Sequence, residues 1–237
     1  MIDDTDSLRA LEGAIERLSP DARASLEHWI YLNLSRPEEV LADRVVESAA
    51  RYESPFLSFE EYLQREAVSP IRHEYVDGEV FAMSAPTLRH GVICGNTFNA
   101  VFNHLRGRPC RAFMENVKVA QQKQQPQFSY YPDVLVACGK LDQEAHHLEE
   151  PKLVVEVLSP STARTDRNEK SLNYRLIPTL DEYVIIAQRR REVTLLRRRE
   201  EWKPLVLISS DAVLDLESVQ LALPLEQIYE GAVLDGR

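Results

Sequence analysis

Two short apolar runs, each interrupted by a single carboxylate, constrain this chain more than any other feature. YPDVLVACG (131–139) carries Asp133, and KLVVEVLSPST (152–162) carries Glu156. Runs of Val and Leu bounded by Pro, Gly and Ser read as strands. Both carboxylates are therefore expected on neighbouring strands of one sheet. A carboxylate inside such a strand is expensive to desolvate unless it is paired or binds a metal. Successive strand residues alternate faces. If Val155 and Val157 face one core, Glu156 faces a second layer or a cleft.

A charged segment, TDRNEKSLNY (165–174), follows at once and brings Lys170. A hard cation such as Mg²⁺ binds through one or two carboxylates together with waters and substrate phosphate. A nearby lysine orients or deprotonates the attacking water and stabilises developing charge. Asp, Glu and Lys together are thus the parts of a metal-assisted phosphodiester hydrolase. Asp133 and Glu156 are the expected ligands of Mg²⁺ (or Mn²⁺), helped by the Val157 carbonyl, and Lys170 is expected to position the water. Asp166, Lys170 and Tyr174 are spaced to share one helical face. That face either looks at the carboxylates or is an ordinary solvated i,i+4 pairing, and spacing alone does not choose.

These pieces resemble the PD-(D/E)XK nuclease superfamily, and more closely the Uma-two family of restriction endonucleases. The matching segments are HEYVDGEV (73–80), the Arg89-His90 pair, YPDV (131–134), VVEVLSPST (154–162), DRNEK (166–170) and LDEYVII (180–186). They run in order over roughly residues 56–230. One departure matters: Leu158, not lysine, stands two residues after Glu156. The resemblance implies that the lysine comes from the following helix, where Lys170 stands. It also implies a restriction-endonuclease-like α/β fold acting on DNA, and it draws Asp166 and Tyr174 toward the site. Glu79, first after the Asp77-Gly78 turn, belongs to the family's hairpin and is either a site residue or a surface acid. His90 opens a helix where the family also has His, and is either structural or part of the site.

Composition limits the alternatives. The net charge of −10 disfavours a tight, non-specific nucleic-acid binder, which needs many phosphate contacts. The charge is uneven, with 11 bases against 7 acids over residues 164–203. A locally basic segment after the carboxylate strands suits weak or transient contact with DNA. The arginines at 189–191 and 197–199 read otherwise as solvated hairpin charges. No Gly-rich phosphate loop exists among 8 glycines, which argues against P-loop nucleotide hydrolysis. No apolar stretch is long enough for a membrane. The acidic start MIDDTDSLRALEG lacks the regions of a signal peptide. Cys94, Cys110 and Cys138 form no CxxC pair, so reduced thiols in a cytoplasmic protein are expected. The adjacent His146 and His147 read as exposed rather than as zinc ligands.

Residues 1–53 differ from the rest. Three amphipathic helices are expected there, with Leu8, Leu11, Ile15 and Leu18 on the first apolar face and Ser19-Pro20-Asp21 starting the second. The expected organisation is a helical extension (1–53) before a restriction-endonuclease-like domain (54–237), a mixed sheet flanked by helices. The extension either packs on the domain or serves as a dimerisation or partner-binding arm. Two rivals to the nuclease remain: a catalytically inactive binding or regulatory module on the same fold, and an antitoxin-like partner protein acting through residues 1–53. Fold alone does not separate them.

Overall fold

The computed structural model describes residues 56–159 and 166–235. The expected helices of residues 1–53 lie outside the described residues.

Helix α1 (Phe59–Glu66) starts at a capping box, in which the Glu61 amide donates to Ser58 Oγ and the Ser58 amide to Glu61 Oε2. Strands β1 (His73–Val76) and β2 (Glu79–Ala82) form the expected hairpin. Asp77 and Gly78 both take positive φ, as a two-residue type I′ turn requires. Helix α2 (Leu88–Leu105) is capped by Thr87. It buries His90, Ile93, Cys94, Thr97, Val101 and Leu105, while Leu88 and Val92 are exposed.

Two strands follow, β3 (Cys110–Met114) and β4 (Lys118–Gln121), separated by a turn with Glu115 at positive φ. Strand β5 (Phe128–Tyr130) ends just before the carboxylate run, and only its later part forms a strand, β6 (Val134–Cys138). Asp133 therefore lies between strands, where the chain passes from one sheet to the other. Next come β7 (His147–Leu148), β8 (Pro151–Leu158), a π-helical turn (Asp166–Lys170), α3 (Ser171–Arg175) and β9 (Glu182–Ala187). Strands β10 (Val193–Arg197), β11 (Pro204–Leu207), β12 (Val213–Leu216) and β13 (Leu221–Pro224) lead to α4 (Leu225–Ile228).

A six-stranded mixed sheet, ordered β11-β10-β9-β8-β6-β3, forms the centre. Strand β8 runs parallel to β9 and antiparallel to β6, and the connection from β8 to β9 carries the π turn and α3. One face of this sheet, with Val155, Val157, Val184 and Ile186, packs on α2, the β12–β13 hairpin and α4. The other, with Leu135, Val154, Tyr183 and Ile185, packs on β4 and β5 of a second sheet, ordered β2-β1-β5-β4-β7, and on Tyr174 and Ile177. Strand β8 is thus covered on both sides, which explains its near-continuous apolar sequence.

Two sequence expectations give way to tertiary contacts. Cys110 and Cys138 are disulfide-bonded, because β3 and β6 pair antiparallel with these two residues directly opposite. Cys94 is free and buried. The arginines at 197–199 are not uniformly solvated. Arg197 is buried with its Nε 3.0 Å from Glu182 Oε1, and Arg198 lies over the Trp202 ring and donates to the Leu180 carbonyl. His147 pairs parallel with Lys118 in β7 and is half-buried.

Glu182 is a second buried acid, on the strand beside Glu156, and it accepts from Arg197 and from the Ser218 amide. Removing one partner of such a pair strands the other without compensation. Arg197→Met is expected to lower unfolding free energy by about 3–5 kcal/mol in urea denaturation. Arg199→Ala, at an exposed pair, should change it by less than about 1 kcal/mol. Equal effects would mean that Arg197 contributes no more than a surface charge.

Candidate functional site

The alternation of β8 decides which way Glu156 points. Val155 and Val157 enter the core against α2, so Glu156 faces the space between the two sheets, where it is 3% exposed. Strand β1 obeys the same rule. Tyr75 packs with Phe59 and Tyr62 of α1 on the outer face of the smaller sheet, which turns Glu74 inward. The crossover after β8 returns a lysine to the same space. Lys170 Nζ lies 2.8 Å from Glu74 Oε1, 3.1 Å from Asp166 Oδ1 and 3.4 Å from Glu156 Oε1. The Tyr174 hydroxyl donates to Glu156 Oε1 at 3.0 Å. Tyr130 lies beneath the ammonium, 5.2 Å from ring centroid to Nζ.

Asp133 approaches from the junction of β5 and β6. Its Oδ2 accepts the Val157 amide at 2.6 Å and lies 3.3 Å from His90 Nε2. His90 is held in the first turn of α2, next to Cys94 one turn later. The site thus has two halves joined at residues 156 and 157. One is an acid–lysine cluster; the other contains Asp133, His90 and Cys94.

Two buried carboxylates, Glu156 and Asp166, and the half-buried Glu74 surround one buried ammonium. Burial drives the Glu156 carboxyl well above the ordinary carboxylate range; Lys170 opposes this, while the charges of Asp166, Asp133 and Glu74 add to it. Burial likewise raises Glu74 against the pull of Lys170. For Lys170 burial favours the neutral amine, but Asp166, Glu156 and Glu74 outweigh it and hold the ammonium. His90 is also raised: burial works against the charged ring, and the bond to Asp133 and its charge prevail.

Of the residues selected from the sequence, Glu156, Asp166, Lys170 and Tyr174 meet in one cluster, with Asp133 at its edge. Glu79 is exposed at the start of β2, paired with Val76 and displaced from Glu74 toward the turn. Glu74 was passed over, although it lies in the same HEYVDGEV segment. Its signal was the alternation around Tyr75, which means something only once the packed face of β1 is known. Cys94 was read only as a reduced thiol, although His90 and Cys94 stand one helical turn apart.

The described residues thus form an α/β domain, a mixed central sheet flanked by helices, with an acid–lysine cluster between it and the smaller sheet. Residues 59–226 match the Uma2 family, described as "Putative restriction endonuclease", and the chain belongs to that family. Two relatives come from Synechocystis sp. (strain ATCC 27184 / PCC 6803 / Kazusa). "Uncharacterized protein slr1290" is 36% identical over 180 residues, covering 75% of this chain and 93% of its own. "Uncharacterized protein sll1609" is 30% identical over 135 residues, covering 56% and 75%. The fold is similar to that in "Crystal structure of a putative nuclease belonging to DUF820 from Anabaena variabilis ATCC 29413", with a TM-score of 0.65 at 19% identity over 75% of this chain and 99% of that one. Among the described residues no helix is long and apolar enough to cross a membrane.

The raised Glu156 carboxyl has a consequence for stability. The folded protein keeps a proton there that the unfolded chain releases in the ordinary carboxylate range. The metal-free protein should therefore lose stability as pH rises from that range through the raised value. Thermal unfolding in chelator should show Tm falling with rising pH. Glu156→Gln should make the fall shallower, leaving contributions of the same sign from Glu74 and His90. Equal slopes in wild type and variant would place the titrating group elsewhere.

Proposed function

We propose that this protein is a metal-dependent endonuclease that hydrolyses phosphodiester bonds in DNA. The observation that supports the reading best is the crowding of acids, in which Glu74, Glu156 and Asp166 all share the Lys170 ammonium and Asp133 stands at the edge. A divalent cation relieves such an excess, and the oxygen-only donors on this side suit Mg²⁺ or Mn²⁺. Asp133, Glu156 and the Val157 carbonyl would hold it. When bound, it supplies Lewis-acid stabilisation of a phosphoryl oxygen and acidifies water.

The residues of this chain do the rest. Lys170 is kept as an ammonium by its acids, so it acts as a donor and charge stabiliser rather than as the base that takes the proton of water. Asp166 and Glu74 fix the position of that ammonium, and Tyr174 fixes Glu156 by its hydroxyl bond. Tyr183 secures the start of the π turn by donating to the Asp166 carbonyl at 2.9 Å. The net charge of −10 favours weak, transient contact with DNA.

The test is Mn²⁺-supported nicking of supercoiled plasmid by purified wild type, Asp133→Asn, Glu156→Gln and Lys170→Ala. Each ligand variant is expected to lose at least ~100-fold in rate, since a lost ligand oxygen removes several kcal/mol of transition-state stabilisation. Lys170→Ala should keep the rise in Tm on adding Mn²⁺ while losing ~100-fold or more in turnover. Equal nicking by all four proteins would remove this site from the chemistry.

A further inference from the structure

The half of the site built on α2 has a donor set unlike the other. His90 and Cys94 are one turn apart on the buried face of the helix, and Asp133 reaches them from the junction of the two sheets. Among the described residues these three form a group whose donor atoms all lie within 4.8 Å of one another. His90 Nε2 is 3.3 Å from Asp133 Oδ2 and 3.9 Å from Cys94 Sγ. With Zn–N and Zn–O bonds of about 2.0–2.2 Å and Zn–S of about 2.3 Å, the edges of a tetrahedral zinc site are roughly 3.4–3.6 Å long. The His90–Asp133 separation matches such an edge and the His90 Nε2–Cys94 separation exceeds one by a few tenths of an ångström, while Cys94 Sγ also lies 3.3 Å from Nδ1 of the same ring and within 4.8 Å of the Asp133 carboxylate.

Nitrogen, sulfur and carboxylate oxygen together select zinc-class ions, whereas Mg²⁺ takes oxygen ligands. Three protein ligands with a fourth position left over is also a common zinc arrangement. The Val157 amide already orients the Asp133 carboxylate, the kind of supporting bond that metal ligands use. An ion can enter from the Asp133 side, where that side chain is 15% exposed.

We propose that His90, Cys94 and Asp133 form a second metal site, specific for thiophilic divalent ions such as Zn²⁺, sharing Asp133 with the hard-cation site. Binding releases the thiol proton to solvent and forms a metal–thiolate bond, with no redox change. An ion held there commits Asp133 to the α2 side and suppresses hydrolysis that needs Asp133 on the Glu156 side. The suppression rests on the nuclease reading; the binding does not.

The full chain, with its disulfide intact and freed of metal by chelator, is titrated with Co²⁺ and followed by the near-ultraviolet thiolate-to-cobalt band. Zn²⁺ affinity is measured by competition. Wild type should develop the band at one equivalent and lose it to Zn²⁺. Cys94→Ser should show no band and bind Zn²⁺ more than ~100-fold more weakly, beyond the roughly 10–100-fold that a lost supporting hydrogen bond costs. Cys94→Ala, which puts no hydroxyl into the core, should repeat that loss, and Glu156→Gln should keep the band. No band in wild type, or a band that survives in both Cys94 variants, would overturn the site. A band lost in Glu156→Gln would mean that both metals use one centre, and would also overturn it. In the plasmid assay Zn²⁺ should suppress Mn²⁺-supported nicking by wild type. If no nicking occurs under any condition, the nuclease reading falls, and the cobalt titration still decides the site.

Discussion

The structure depends on one buried ammonium. Lys170 is enclosed by Glu74, Glu156 and Asp166, which come from a hairpin of one sheet, the central strand of the other, and the connection from that strand to β9. None of these acids could be buried at this depth without it, because an isolated carboxylate costs far more to desolvate than its burial returns. The lysine in turn keeps its charge only because the acids surround it. The two sheets are thus fastened at a polar point inside an otherwise apolar seam of Val119, Phe128, Tyr130, Val154 and Tyr183. That point is over-supplied with negative charge, and the excess, rather than the presence of acids, gives it the character of a cation site.

The comparison with Glu182 shows why. Glu156 and Glu182 are buried acids on adjacent parallel strands. Glu182 has a buried arginine, backbone amides at 217 and 218, and the Ser218 hydroxyl. Its bonding capacity is filled by the protein, and it serves as a fastening between β9, β10 and the segment after β12. Glu156 shares one lysine with two other acids and has one tyrosine hydroxyl besides. Residue type and burial are alike at the two positions; the count of compensating donors differs.

Strand alternation links fold to site throughout. The valines of β8 that pack on α2 force Glu156 to the opposite side. Tyr75, packed on α1, forces Glu74 inward. The main chain at Val157 then supplies the hinge between the two halves, since its amide holds Asp133 while its neighbour Glu156 meets Lys170. A one-residue slip in β8 would exchange the valines for the carboxylate and disperse the cluster.

Much of this was legible in the chain. The apolar runs named the strands, the Asp77-Gly78 pair placed a local turn, and the cost of a carboxylate inside a Val/Leu run marked Glu156. Such features act over a few residues, so sequence carries them. What sequence could not carry is pairing between distant segments. The split of 128–138 into two strands, which leaves Asp133 at a junction, follows from two sheets competing for one stretch of chain. The disulfide follows from the register that sets Cys110 opposite Cys138. Glu74 displaces Glu79 as the inward acid because α1 covers one face of β1. Arg197 looks like its neighbours in a run of three, and only the position of Glu182 on the next strand buries it. Local chemistry determined which residues needed partners; the tertiary structure decided who those partners were, because burial and charge compensation depend on which distant groups arrive in the same space.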